Sequence, residues 1–424
     1  MPYTRRVIDS VLDDMLPHLA AIALVGAKGV GKTATGKQRA ASILDLSVER
    51  QRATLVGDID HIVHLPPPVL IDEWQLLPSV WDRVKNAVDD DRSGGQFLLA
   101  GSAGVTPGVR IHSGAGRIVR YTMRPLSLAE RGISEPAVSL RELLDGGKPD
   151  VFGQTSIRLT NYVDEILASG FPGIREASDR ARRSLLNAYI SQIVEHDLPE
   201  NGVDVRRPRA LTAWLRAYGA ATATDAKYST ILDAATAGED DKPARATVDS
   251  YREHLTRLFV LDPIPAWIPT LNPLKRLTKT PKHHLVDPAL SARMAGVGKD
   301  GLMMGEGERV GTDTGTWVGA LFESLAAQSV RVYADAAEAE VGHLRTQDTT
   351  REIDLIVESD DRRIVAIEVK LADTVGDHDV RHLNWLHQQI GDRLADKIII
   401  TTGPSAYRRT SDGVAVIPLA LLGP

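Results

Sequence analysis

The segment 26–33 constrains this chain most, because the apolar run Ala-Ile-Ala-Leu-Val leads directly into the pattern G-x-x-x-x-G-K-T and a helical pattern follows. Glycines at these positions let the backbone curl with its N–H groups inward, and the start of the next helix adds positive charge. The pattern predicts a phosphate-binding loop, in which Lys32 reaches the β- and γ-phosphates and the hydroxyl of Thr33 holds Mg²⁺. The predicted nucleotide-binding residues are Gly26, Ala27, Lys28, Gly29, Val30, Gly31, Lys32, Thr33 and Ala34. A glycine-rich turn without a ligand is the alternative, and the flanking strand and helix argue against it.

A second motif adds catalytic chemistry to this loop. The apolar run at 69–71 ends in Asp72 and Glu73, as expected for a buried parallel strand that delivers carboxylates to its carboxyl end. Asp72 is predicted to hold Mg²⁺ and Glu73 to polarise the water that attacks ATP. A later strand at 96–101 ends at Ser102, which is a candidate contact of the γ-phosphate or, equally, part of a Gly-Ser turn.

The composition limits the class of protein. A chain of 424 residues divides into two or three domains. Neither a membrane span nor a secretory leader is apparent, and the chain has no cysteine, so we expect a cytoplasmic protein without disulfides or thiolate metal sites. The net charge of −6 argues against a protein that coats nucleic acid over its whole surface, although a local basic face is compatible with it.

Apolar strand patterns at 20–25, 42–47, 69–72, 96–101 and 117–122 alternate with helical patterns, which predicts a parallel sheet with helices on both faces. Residues 134–155 lose this periodicity and are interpreted as the exit from the first domain. The next part is helical, with the clearest helices at 181–194, 208–222 and 247–258. After the last of these, a β-branched run predicts a strand.

Near the C-terminus, Glu323 lies on an amphipathic helix, and two strand patterns at 351–357 and 364–370 form a predicted hairpin. Alternation places Glu368 and Lys370 on one face of their strand, beside Asp354. This set resembles the E…D…E-x-K core of the PD-(D/E)xK nuclease superfamily, in which the carboxylates hold Mg²⁺ and the lysine assists the attack of water. The resemblance implies catalytic roles for Glu323, Asp354, Glu368 and Lys370, with Asp354 and Glu368 as metal ligands. A lysine–carboxylate pair without metal is the alternative.

Several further motifs extend a resemblance over nearly the whole chain. They are Ile-Asp-Glu-Trp-Gln-Leu-Leu-Pro at 71–78, Gly-Arg-Ile at 116–118, Met-Arg-Pro-Leu-Ser-Leu-Ala-Glu at 123–130, Ser-Gly-Phe-Pro at 169–172, and the run 189–197. Together they resemble a bacterial and archaeal family of AAA+-type ATP-binding proteins whose C-terminal domain has no known function. Where that family more often has glycine and arginine, this chain has Ser169 and His196.

The family resemblance implies a winged helix in the middle of the chain, with the helix at 247–258 as its recognition helix. Arg245, Arg252 and Arg257 would then face phosphates, although the acidic residues among them fit a solvated mixed-charge face equally well. The most basic run, at 275–284, is interpreted as a solvated loop in preference to a phosphate contact. Arg117 and Arg120 are candidates for an arginine finger by position, and ordinary surface arginines are the favoured alternative.

We therefore expect an α/β protein with three domains: an AAA+-like P-loop ATPase domain (1–135), a helical winged-helix-like domain (156–270) and a restriction-endonuclease-like mixed α/β domain (285–424). The expected function is binding and hydrolysis of ATP with Mg²⁺ as cofactor, acting on or with nucleic acid through the C-terminal domain. The alternative is a nucleotide-gated assembly or regulatory module whose C-terminal domain binds a partner without cleavage. DNA or another nucleic acid and a second copy of the chain are the expected macromolecular partners, and no membrane association is expected.

Overall fold

A computed structural model describes residues 3–101, 114–205, 207–236, 245–267, 280–305, 316–346 and 350–424. Its strands are β1 Ala21–Val25, β2 Ser42–Asp45, β3 Val69–Asp72, β4 Phe97–Gly101, β5 Ile118–Thr122, β6 Val138–Ser139, β7 Gly153–Gln154, β8 Ala339–Arg345, β9 Glu352–Ser359, β10 Ile364–Val369, β11 Leu394–Thr401, β12 Ser405–Arg408, β13 Ala415–Pro418 and β14 Leu422–Gly423. The α-helices span Val7–Met15, Lys32–Lys37, Glu49–Gly57, Ser79–Asp90, Leu140–Leu144, Leu159–Ala168, Pro172–Arg175, Asp179–Gln192, Leu198–Glu200, Pro208–Ala220, Tyr228–Ala235, Arg245–Arg257, Pro288–Ala295, Lys299–Met303, Trp317–Ala336 and Arg381–Ile390. Short 3₁₀ helices span Ile59–Val63, Trp74–Leu76, Ala129–Arg131, Gly391–Arg393 and Leu419–Leu421, and a π-helical turn spans Ile193–Asp197.

The N-terminal part is built on a five-stranded sheet with the order β2-β3-β4-β1-β5. All four strand pairs are parallel, and β3 and β4 are buried along their whole length. Continuous apolar runs of this kind are typical of parallel strands covered on both faces. The predicted fold class and all five predicted strands are confirmed. The carboxyl ends of β1 and β3 lie at one edge of the sheet, where open α/β sheets bind their ligands.

The middle of the chain is helical, as predicted. The helices Asp179–Gln192, Pro208–Ala220 and Arg245–Arg257 match the three predicted ones to within a few residues. The prediction of a strand after the last of them is wrong, because the described residues there form isolated bridges, Leu261 with Leu285 and Ile264 with Lys282 in the antiparallel sense and Ala266 with His343 in the parallel sense. The winged-helix identity of this part stays a prediction.

Of the arginines on the predicted recognition helix, Arg252 meets partners within the chain. The guanidinium of Arg252 lies 4.2 Å from the ring centroid of Tyr228 and 3.1 Å from a carboxylate oxygen of Asp249. The side chain of Arg245 is outside the described residues. These contacts agree with the solvated mixed-charge alternative.

The C-terminal part contains a mixed seven-stranded sheet with the order β7-β12-β13-β11-β10-β9-β8. The predicted hairpin is confirmed, since β9 and β10 pair in the antiparallel sense. The helix Trp317–Ala336 contacts β8 and β9 and is buried along most of its length. Apolar side chains of this helix form one core with Leu355, Val357, Val365 and Ile367 of the sheet.

Residues 134–155, interpreted from the sequence as the exit from the first domain because they lose periodicity, contain regular structure. They contain β6, which pairs with β14, the helix Leu140–Leu144, and β7, which extends the C-terminal sheet through β12. The helix is short, and its three buried leucines pack against strands that are distant in sequence. The domain division proposed from the sequence stays a prediction. No helix among the described residues is long and apolar enough to cross a membrane.

Candidate functional site

The loop 26–33 connects β1 to the helix Lys32–Lys37 at the carboxyl edge of the parallel sheet. Gly26, Gly29 and Gly31 have φ values of 150°, 80° and 104°, a region that side chains other than glycine rarely adopt. A Cβ atom at Gly26 would lie 2.2 Å from the carbonyl oxygen of Met123. The loop therefore requires glycine at these positions, and its curled backbone fits a phosphate group.

Lys32 lies inside this loop. Its side chain is buried, and Nζ donates hydrogen bonds to the carbonyl oxygens of Gly26 at 2.9 Å and Ala27 at 2.8 Å. Burial lowers the pKa of Lys32 to about 8, although the carboxylates of Glu73 and Asp72 act to raise it. An ammonium has three donors, so the two described hydrogen bonds leave one for an anionic ligand.

A hydroxyl and a carboxylate meet beside the lysine. Thr33 Oγ1 donates a hydrogen bond of 3.0 Å to Asp72 Oδ1, at the carboxyl end of β3. Burial raises the pKa of the Asp72 carboxyl, while the hydrogen bond from Thr33 lowers it. Hydroxyl and carboxylate oxygens are ligands that Mg²⁺ accepts together with water and phosphate oxygens. The two residues predicted to hold Mg²⁺ are thus adjacent, and their donor set fits the ion.

Glu73 follows directly and has a left-handed backbone conformation, with φ of 52°. Such a conformation is strained for a residue other than glycine, and such residues cluster at functional sites. The Glu73 carboxylate accepts a hydrogen bond from Nε2 of Gln75. Ser102, the candidate γ-phosphate contact, lies outside the described residues.

Arg6 supports the loop from the N-terminal segment, a contact that we did not predict. Its guanidinium donates to the carbonyl oxygen of Val30 in the loop at 2.7 Å, to that of Arg124 at 2.7 Å, and to Glu130 Oε1 at 2.9 Å. Glu130 in turn accepts hydrogen bonds from the backbone N–H and the hydroxyl of Ser127. This buried network fixes the loop to two segments that are more than one hundred residues apart.

The helical middle contacts the other side of the loop. Lys28 Nζ lies 2.5 Å from Oδ1 of Asp197, which ends the π-helical turn Ile193–Asp197. Tyr189 donates a hydrogen bond of 3.2 Å to the carbonyl oxygen of Lys28, and its ring centroid lies 4.9 Å from that of Phe171. π-Helical turns occur frequently at functional sites. A charged loop residue is therefore held by the helical part of the chain.

The two arginine-finger candidates have partners within the chain. Arg117 Nε lies 2.8 Å from Asp89 Oδ1, and the guanidinium of Arg120 lies 4.9 Å from the ring centroid of Trp81. Both contacts fit the favoured alternative of ordinary surface arginines.

The structure brings together the four residues of the second predicted site. Asp354 on β9 and Glu368 on β10 are both buried, and Asp354 Oδ2 accepts a hydrogen bond of 2.8 Å from the backbone N–H of Val369. Lys370 Nζ lies 2.7 Å from Glu368 Oε2. Glu323 reaches the same cluster from the helix Trp317–Ala336, because it shares a hydrogen-bonding partner with Asp354.

That shared partner is Lys282, which we predicted to lie in a solvated basic loop. The prediction is wrong for this residue, whose side chain is 1% exposed and whose Nζ lies within 3.2 Å of carboxylate oxygens of Glu323, Glu352 and Asp354. The reason is electrostatic, since several buried carboxylates require a cation close by. Residues 275–279 of the basic run lie outside the described residues.

The predicted metal site formed by Asp354 and Glu368 does not fit this arrangement. The ammonium groups of Lys282 and Lys370 contact these carboxylates where a metal ion was expected. Within the described part of the chain, no three His, Cys, Asp or Glu side chains are grouped so as to hold a metal ion. The structure thus agrees with the lysine–carboxylate alternative.

Three family models match parts of the chain. Residues 19–131 match a family described as an AAA domain, residues 159–301 match the domain of unknown function DUF8612, and residues 318–422 match the domain of unknown function DUF4143. The match to an AAA domain covers the parallel sheet and the loop 26–33. Among solved structures, the chain is similar to a point mutant of RuvB from Thermotoga maritima, with 15% identity, a TM-score of 0.24, and coverage of 64% of this chain and 93% of that one. No curated protein matches the chain.

Proposed function

We propose that this chain binds ATP together with Mg²⁺ at the loop 26–33 and hydrolyses it. The observation that carries this proposal is the position of Lys32 inside the glycine loop, next to the contact between Thr33 and Asp72. A lysine, a hydroxyl and a carboxylate at one sheet edge are the groups that a P-loop ATPase needs for phosphate and metal.

Each residue has a defined role in this proposal. Lys32 neutralises charge on the β- and γ-phosphates, and the oxygens of Thr33 and Asp72 hold the cation directly or through water. Mg²⁺, when bound, supplies further positive charge for the transferring phosphoryl group. Glu73 accepts a hydrogen bond from the attacking water and orients it toward the phosphorus.

Nucleotide binding is also expected to change the contacts between the loop and other parts of the chain. Lys28, in the same loop, forms an ion pair with Asp197 of the helical part, and an incoming phosphate would compete for its ammonium. Arg6 joins Val30 of the loop to Glu130. We therefore favour a protein in which the nucleotide state changes contacts between the loop and the helical part.

The binding step is tested by replacing Lys32 with alanine. Removing a charged donor to phosphate removes about 1.5–3 kcal/mol, so MgATP affinity is expected to fall by about ten- to a hundredfold. Isothermal titration with MgATP measures the dissociation constant. Lys37→Ala is the matched control, because Lys37 lies on the same helix with an exposed side chain. Equal affinity of K32A and wild type would contradict the nucleotide site.

For the C-terminal part, a specific observation favours the non-cleaving alternative over nucleic-acid cleavage. Its carboxylates contact Lys282 and Lys370. We propose that this part binds a partner without cutting it. Nicking of plasmid DNA in the presence of Mg²⁺ or Mn²⁺, with and without ATP, tests this role. We expect no nicking, and metal-dependent nicking that Asp354→Asn abolishes would contradict it. Association with nucleic acid and self-association stay predictions.

A further inference from the structure

The C-terminal carboxylate cluster converges on one buried ammonium. Lys282 Nζ lies 2.7 Å from an oxygen of Glu323, 2.9 Å from one of Asp354 and 3.2 Å from one of Glu352. The carboxylates come from a helix and a strand, and the lysine comes from a third segment. Three acidic side chains therefore share one cation.

The position of Lys282 is fixed by the backbone as well as by these ion pairs. Its N–H donates to the carbonyl oxygen of Ile264 and its carbonyl accepts from the N–H of Ile264, each at 2.9 Å. The side chain is 1% exposed, so its apolar stem is surrounded by protein. If the ammonium moved away from the carboxylates, the buried aliphatic part of the Lys282 side chain would lose its packing contacts.

Charge explains why the cluster needs a cation. The carboxylates of Glu323 and Asp354, whose side chains are 16% and 11% exposed, repel each other, and burying them without a counter-charge costs several kcal/mol per ion. Burial alone would lower the pKa of Lys282, but the charges of Asp354, Glu323 and Glu352 outweigh it and hold the pKa well above its ordinary value. Lys282 therefore stays charged and supplies part of the neutralising charge.

A metal ion and this ammonium cannot share the position. Divalent ions bind carboxylate oxygens at about 2.0–2.6 Å, and they would face a positive charge held by the same oxygens. Glu368 lies beside this position and has cationic or donor neighbours at both oxygens, because Oε2 accepts from Lys370 Nζ and the buried Oε1 lies 3.5 Å from Nδ1 of His382.

We infer that Lys282 is the resident cation of this centre, that it takes the place of a divalent metal ion, and that its removal converts the centre into a divalent-cation site. This inference rests on the non-cleaving role proposed above for the C-terminal part. It also goes beyond that role, since it names the side chain that excludes metal and the residues that would bind metal in its absence.

The test is a titration of the full chain with Mn²⁺ in the absence of nucleotide and DNA. All proteins carry Asp72→Asn, so that Mn²⁺ bound at the nucleotide site does not contribute. Lys282→Ala and the larger Lys282→Gln are compared with Lys299→Ala, which removes a half-exposed lysine paired with Asp164. Calorimetry measures affinity, and the melting temperature reports stabilisation by the bound ion.

We expect the Lys282 variants to bind Mn²⁺ at least about tenfold more tightly than the parent and to be stabilised by it, as charge removal exposes three carboxylates to one ion. Adding Glu323→Gln should abolish this gain, and K299A should behave like the parent. The inference is overturned if the parent itself binds Mn²⁺ in a manner that E323Q removes. It is also overturned if folded K282A and K282Q show no gain, or if both misfold and Mn²⁺ does not restore their folding.

None of these outcomes depends on ATP turnover or DNA nicking. Failure of this inference therefore remains distinguishable from failure of the non-cleaving role, which the nicking assay tests by itself.

Discussion

Replacing Glu73 with glutamine is expected to leave MgATP bound while slowing its hydrolysis by about two orders of magnitude or more. The amide keeps the shape of the side chain and its contact with Gln75, but it is a far weaker base toward the attacking water. Phosphate release after rapid mixing measures hydrolysis, and titration calorimetry measures binding. Glu49→Gln, at an exposed position of the helix Glu49–Gly57, is the matched control and should change neither value.

Two other results for E73Q would contradict the role given to Glu73. If E73Q loses MgATP binding, Glu73 either binds the metal or stabilises the fold of the loop. If it binds the metal, the roles given to Asp72 and Glu73 must be exchanged. If E73Q hydrolyses ATP at the wild-type rate, the water-orienting group lies elsewhere. Either outcome would contradict the assignment.

Arg6→Met is expected to lower the free energy of unfolding by about 3–5 kcal/mol, because it leaves the buried carboxylate of Glu130 without its cation. The substitution also removes the donors to the carbonyl oxygens of Val30 and Arg124. We therefore expect weaker MgATP binding in the folded variant as well. Urea denaturation followed by circular dichroism measures the stability.

Arg5→Met is a neighbouring control for this prediction. The side chain of Arg5 is 76% exposed, and its contact with Asp13 spans 3.6 Å. Exposed ion pairs contribute about 0–1 kcal/mol, so R5M should be close to wild type. Equal stability of R6M and R5M would show that the buried network does not stabilise the loop.

Local patterns in the sequence were sufficient to predict the arrangement of the loop 26–33 and Asp72. The spacing of glycines fixes the loop, and the apolar runs before Lys32 and before Asp72 identify β1 and β3, two parallel strands on either side of β4. The contact between Thr33 and Asp72 follows from that sheet edge, although the two residues are 39 positions apart. The hairpin that carries Asp354 and Glu368 was also predictable, because its turn and both strands are contiguous.

Contacts between distant segments were not predictable in the same way. In the sequence, Lys282 belongs to a basic run. Its role follows only from its contacts with Glu323 and Asp354, which lie 41 and 72 residues further along the chain. Likewise, Ser127 and Glu130 belong to a motif that is recognisable in the sequence only through a resemblance. Arg6, which pairs with Glu130, lies 124 residues earlier in the chain. The role of a buried charged residue depends on its counter-charge, and a single sequence does not show which two residues form the pair.

The most direct test of the account is steady-state release of phosphate from ATP by the purified wild-type chain. The proposal predicts repeated turnover with Mg²⁺, loss of turnover when EDTA removes the metal, and loss in the K32A protein. The Lys37→Ala protein should retain the wild-type rate. Phosphate release by wild type that does not exceed that of K32A, or that persists unchanged in EDTA, would contradict the proposal that this loop is the site of a Mg²⁺-dependent ATPase.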